Sequence, residues 1–165
     1  MNLNDVPFGE IENFNVLIEI PKGSNEKWEY DWEAQKMVKN FQFTGDFSYP
    51  FYYGEILGTL GGDGDRLDAM VYSSLPLEQG SVIKCRAFGM LPTIDRGDVD
   101  DKIFCVPVND TWAEKYKDIT DLSPEQLEEV KKCWLEVAKQ KKKTIELKGF
   151  RDKNATEEEI KKSLV

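Results

Sequence analysis

The chain has 165 residues with 22 basic and 31 acidic side chains, giving a net charge of −9; 40% are hydrophobic and 12% aromatic, enough to bury the core of about one domain spanning 1–165 and too many for a disordered acidic tail. It contains no histidine, which excludes Ser-His-Asp triads, Cys-His pairs and His-ligated zinc and leaves acid, base and metal-ligand work to carboxylates, Lys, Tyr or Cys. The acid excess repels a polyanion, so no nucleic-acid partner is expected.

The opening MNLNDVPFGE has neither the basic nor the apolar region of a leader, and no later run is long enough to cross a bilayer. A cytoplasmic protein without a membrane partner is expected. Residues 14–20 (FNVLIEI) read as a strand followed by a turn, PKGSNE, and 27–31 (KWEYD) begin a second strand. Further strand-like runs follow at 37–43, 67–73, 81–91 and 102–108, separated by clusters of Gly, Pro and Asp. Short strands at this spacing suggest a small barrel. Cys85, Cys105 and Cys133 form no CxxC and read as buried thiols in a reducing compartment.

The texture then turns helical. Ser123 is an N-cap followed by Pro124 and, three residues on, by Gln126, while Leu127, Val130, Trp134 and Val137 recur at helical spacing. A helix is predicted over 123–142, with lysines 139 and 141–143 at its negative, solvated end. After a last strand at 144–150, Thr156 with Glu159 opens a short C-terminal helix.

The chemistry concentrates in two acidic stretches. Asp63, Asp65 and Asp68 fall within DGDRLD, where three carboxylates repel one another unless solvent or cations neutralise them. Such an oxygen-rich cluster suits Mg²⁺; as composition alone, it also suits a solvated Asp/Gly turn. DRGDVDDK, 95–102, is the second stretch and by itself reads as a charged hairpin tip, with Asp98 and Asp101 at the surface. Neither is an EF-hand loop: counted from Asp63, position six is Asp68 and position twelve Ser74, and counted from Asp98, position twelve is Asn109. At the ends of adjacent strands, the two stretches would converge on one pole of a barrel and hold several ions.

Taken in order, Glu19 in VLIEIPKGS, Lys27 and Glu29 in KWEYD, Tyr49 and Tyr53 in SYPFYYGEILGTL, DGDRLDAMV, PLEQGSVIKCRAFGML and DRGDVDDKIFCVPV resemble the soluble inorganic pyrophosphatases of family I over about 13–150. The resemblance implies an α+β, mainly β fold: a five-stranded OB-like barrel with packed helices, including a C-terminal one. It implies Mg²⁺-dependent hydrolysis of pyrophosphate to two orthophosphates by in-line attack of a metal-bound water. Asp65 matches the general base. Asp63, Asp68, Asp95 and Asp100 match metal ligands, with Glu19 a more outlying one; Lys27, Lys102, Lys139, Tyr49 and Tyr53 match the phosphate-binding side, and Glu29 an acid behind it. It further implies a homo-oligomer, a hexamer for a chain this short.

The chain also departs from the pattern. Where the family carries a strand-borne arginine stands Asn40 or Phe41, Ala138 replaces a tyrosine, Tyr52 an asparagine, and Arg66 the proline of DGDPxD. Arg66 or Lys39 is near enough in sequence to supply the missing cation. The losses fall on phosphate-binding groups, so a hydrolase for another phosphoanhydride, such as a nucleotide polyphosphate, and a metal-phosphate-binding regulatory module are the alternatives.

Overall fold

Residues 2–165 are described by a computed structural model; Met1, the first residue of the stretch read as lacking a leader, lies outside it. The strands are β1 (Gly9–Glu10), β2 (Asn13–Ile20), β3 (Glu26–Asp31), β4 (Lys36–Gln42), β5 (Tyr52–Ile56), β6 (Asp68–Val71), β7 (Val82–Leu91), β8 (Thr93–Asp95), β9 (Asp98–Val99), β10 (Lys102–Pro107) and β11 (Ile145–Leu147). Helices α1 (Pro124–Gln140) and α2 (Lys153–Lys162) follow the barrel. Strands β2-β5-β6-β10-β7 are hydrogen-bonded in that order, and β7 pairs back onto β2, closing a five-stranded barrel. Numbering only these five, the order is 1-2-3-5-4-1, the circuit of an OB barrel.

Alternation along the strands sorts their side chains into two clusters. Phe14, Val16, Ile18, Ala69, Val71, Cys85, Ala87, Ile103 and Cys105 pack together with Ile160 of α2. Tyr53, Met70, Phe88, Phe104 and Val106 point the other way and meet Val130, Cys133, Trp134 and Val137 of α1. The two sets lie on opposite faces of the barrel sheet, the second covered by α1. β10 serves both sets and is buried along its whole length. All three cysteines are buried free thiols.

Helix α1 starts where the local signals put it. Ser123 Oγ accepts the Gln126 N–H at 3.1 Å, and the Gln126 side chain accepts the Ser123 N–H at 2.9 Å. The C-terminal helix starts earlier than expected: Asp152 is its cap, accepting the Ala155 N–H at 2.9 Å, and Thr156 lies inside, its hydroxyl donating to Asp152 O. The cap is decided by a carboxylate one turn upstream, which satisfies a free N–H that Thr156 would have had to serve. The last strand shrinks to three residues, and YYGEI, not marked by the strand-like runs, is the central strand β5. The hairpin tip at 95–98 does form, between β8 and β9, with Arg96 at φ 51° and Gly97 at φ 88°. Both turn positions need the left-handed region, and glycine makes one of them easy.

Candidate active site

Strand register gathers the two acidic stretches. β10 runs parallel to β6 with Lys102 opposite Asp68, and β5 runs antiparallel to β6 with Glu55 opposite Asp68. Both acidic loops therefore end on the same edge of the barrel, where Glu55, Asp68 and Lys102 form a row across three strands. A cleft of about 370 Å³ opens there, walled by β3 and by Trp134 and Val137 of α1. Nine carboxylates and six cationic side chains line it, so anionic charge prevails.

Lys102 is the buried hub, 3% exposed. Its Nζ donates to Asp100 at 3.0 Å, to Tyr53 Oη at 3.1 Å and to Asp68 at 3.3 Å, and stands 4.0 Å from the centre of the Trp134 ring. Burial opposes its charge, but Asp100 and Asp68 outweigh burial and hold the ammonium firmly protonated. The two acids split. Burial pushes both up; for Asp100 the opposing Lys102 charge and the hydrogen bonds win and bring it down to about 2, whereas Asp68 is left well above the usual carboxylate range. Two carboxyls sharing a low-dielectric site cannot both ionise freely, which is why they separate.

Three further acids are also under-compensated. Burial raises Asp63, Glu55 and Glu19, the last well above its ordinary value with Glu55 adding to the effect. Glu19 is locked by the Tyr30 N–H at 2.7 Å. Asp95 is the exception: although burial pushes it up, Lys143 at 2.6 Å and Arg96 at 2.9 Å overcome this and lower it. Asp65 is exposed in the loop, whose backbone is held by Asp65 N–H to Asp63 Oδ1 at 3.0 Å. Among the described residues no three acidic side chains stand close enough to form a ready metal cage.

Of the residues singled out from sequence, Glu19, Lys27, Glu29, Tyr49, Tyr53, Asp63, Asp65, Asp68, Asp95, Asp100 and Lys102 all line the cleft. Lys139 does not: it is exposed on α1, two residues past Val137 and so turned away from the stripe formed by Val130, Trp134 and Val137. That stripe continues to Lys141, which does line the cleft, as does Lys143; the lysine run is thus not wholly solvated. Helical spacing was the available signal, and matching Lys139 by order along the chain overrode it. Asp98 lines the cleft as an exposed acid, while Asp101 turns away and accepts the Thr93 N–H at 3.2 Å. Lys39 pairs with Glu26 at 2.9 Å and does not reach the cleft. Arg66 does reach it, lying 3.6 Å over the Trp32 ring, whose N–H donates to Glu55 at 3.3 Å. Glu55 and Trp32 were missed. Alternation on β5 puts Glu55 on the face of Tyr53, a signal that becomes visible once YYGEI is read as a strand.

The family model for inorganic pyrophosphatase matches residues 16–165. The chain is 40% identical to the inorganic pyrophosphatase of Synechocystis sp. over 86% of its own length and 83% of that protein's. It is 34% identical to that of Campylobacter jejuni, covering 99% and 98% of the two chains. Among solved structures, inorganic pyrophosphatase from Thermus thermophilus superposes with a TM-score of 0.89 at 32% identity, over 98% of this chain and 95% of that one. The structure from Coxiella burnetii gives 0.90 at 31% identity, over 96% and 97%.

Proposed function

The chain belongs to the soluble inorganic pyrophosphatases of family I, and from that premise we propose that it hydrolyses inorganic pyrophosphate to two orthophosphates in the cleft at the β5–β6–β10 edge. The observation that carries this reading is the parallel register of Lys102 with Asp68, which merges the two acidic loops into one site. Asp65 accepts the proton of the attacking water; it is the exposed carboxylate of the loop and its backbone is pinned. Lys102, kept charged by Asp100 and Asp68, and Lys27 supply positive charge to the phosphoryl oxygens. Tyr53 accepts from Lys102 and so fixes the ammonium in place; burial keeps the phenols of Tyr53 and Tyr49 protonated, so both remain donors.

The partly buried, raised carboxyls of Asp63 and Asp68, in a cleft where anions outnumber cations, fit hard divalent cations that take a few carboxylates plus phosphate oxygens. Asp63, Asp68 and Asp100, which do not close a cage by themselves, would hold Mg²⁺ together with water and phosphate oxygens, with Asp95 and Glu19 further out. When bound, Mg²⁺ neutralises phosphate charge and lowers the pKa of a water molecule. Asp95 joins only if it exchanges Lys143, and Glu19 only with the oxygen not accepting from Tyr30.

Among the described residues no helix is long and apolar enough to cross a membrane. The three buried free cysteines support a cytoplasmic location. Self-association is supported by the exposed Leu60, Leu164 and Val165, brought together by the Thr59–Leu164 bridge; sedimentation of the purified protein tests it, a hexamer being expected.

Phosphate release from pyrophosphate with Mg²⁺ present tests the function. Asp65→Asn should lower kcat by about 10²–10⁴-fold while leaving the fold intact. Hydrolysis of nucleotide polyphosphates alone, or tight pyrophosphate binding without turnover, would replace this reading with one of its alternatives.

A further inference from the structure

At two positions the family resemblance implies phosphate-binding groups that this sequence does not have, and the structure shows what stands there. Phe41 faces Lys27 across the β3–β4 pair, and the bulge between Lys27 and Trp28 sends the Asn40 amide out to Glu29 at 3.4 Å. Neither presents a cation to the cleft. Ala138 is buried on α1, beside the Trp134 ring that packs on Tyr53 at 5.0 Å. One turn beyond Val137, Lys141 enters the cleft with its Nζ 5.9 Å from the centre of the Phe41 ring, and Lys27 lines the same cleft.

We propose that Lys141, paired with Lys27, is the residue that grips a phosphoryl group on the α1 side of the cleft, doing from the helix end what a strand arginine and a helix tyrosine would otherwise do. The proposal rests on the reading that the cleft takes pyrophosphate. Two ammonium groups side by side repel, and an arriving polyanion relieves that repulsion. Among the described residues Lys141 makes no ion pair, whereas its neighbours are engaged: Lys27 with Glu29 at 2.9 Å and Lys143 with Asp95 at 2.6 Å. Burial, with Lys27 and Lys143 nearby, holds Lys141 down to about 8, so its charge is poorly compensated before an anion arrives. Arg66 is otherwise occupied, face down on Trp32 and beside Glu55.

The test compares wild type, Lys141→Met, Lys141→Arg and Lys139→Met in two assays. One is calorimetric binding, with Mg²⁺ present, of the methylene analogue of pyrophosphate, whose bridge is not hydrolysed; the other is steady-state hydrolysis of pyrophosphate with Mg²⁺. Loss of one charge-assisted contact should weaken binding of the analogue by about ten- to a hundredfold in Lys141→Met and raise KM more than it lowers kcat. Lys141→Arg, which keeps a cation, should retain most of the affinity, and Lys139→Met should bind as wild type. An active wild type whose dissociation constant and KM are matched by Lys141→Met overturns the proposal and leaves the function standing; so does an affinity that falls in Lys139→Met instead. A wild type that binds the analogue through Lys141 without hydrolysing pyrophosphate overturns the function and leaves the proposal.

Discussion

Replacing Lys102 by methionine keeps the length of the side chain and removes the one ammonium that touches both Asp68 and Asp100. Lys102 is 3% exposed, so water does not make up the loss. Breaking a buried ion pair from one side costs about 3–5 kcal/mol, because the carboxylates stay behind uncompensated. For a chain of this size that is a fall in Tm of roughly 6–20 °C in metal-free buffer. Two further effects follow from the same cause. Without Lys102, Asp100 loses the charge that holds it at about 2 and joins Asp68 among the raised carboxyls. A raised acid opposes folding above its folded pKa, so the variant should regain stability as pH falls from 7 toward about 5, where the ordinary decline of carboxylate-stabilised proteins has barely begun. Mg²⁺ at a saturating concentration should also stabilise the variant more than the wild type, since the divalent ion replaces the missing charge. Thermal melts in chelator and in Mg²⁺, at matched ionic strength and at pH 5, 6 and 7, read all three effects. A loss under about 1 kcal/mol, or equal Mg²⁺ stabilisation of both proteins, would refute the view of Lys102 as the hub of the acid site.

A methyl group on Gly54 would run into the backbone carbonyl of Leu17 on the neighbouring barrel strand, so Gly54→Ala should lose roughly 3 kcal/mol or more and give little soluble protein; expression and a urea melt check this. Asp110, 3% exposed, accepts the Ser74 N–H and hydroxyl, each at 2.7 Å, and these bonds outweigh burial and lower its pKa. A lowered carboxyl stabilises above the ordinary value of about 3.9 and loses that contribution as pH falls through its folded value, so Asp110→Asn should flatten the acid limb of Tm between about pH 5 and about pH 2. Removing the α2 cap with Asp152→Ala should cost about 1 kcal/mol, seen as a small Tm drop without loss of pyrophosphate hydrolysis.

Signals confined to a few residues were legible along the chain. Apolar alternation marked β2, β3, β4, β6, β7 and β10, and the Ser123–Gln126 pair marked the start of α1 to within a residue, because such patterns express contacts made within one element. The aspartates of the two loops were also legible as chemistry. What tertiary structure decided was which of these residues meet. Nothing local says that β10 lies parallel to β6 with Lys102 beside Asp68, 34 positions away; closure of the barrel and burial of β10 on both faces select that register. At the helix end, helical spacing along the chain sets Lys141 and not Lys139 on the stripe of Trp134 and Val137, but only the packing of that stripe on the barrel turns it toward the cleft. A residue type can be read from the chain, but its neighbours are set by packing between segments remote in sequence, and both the charge balance and the chemistry of this cleft depend on those neighbours.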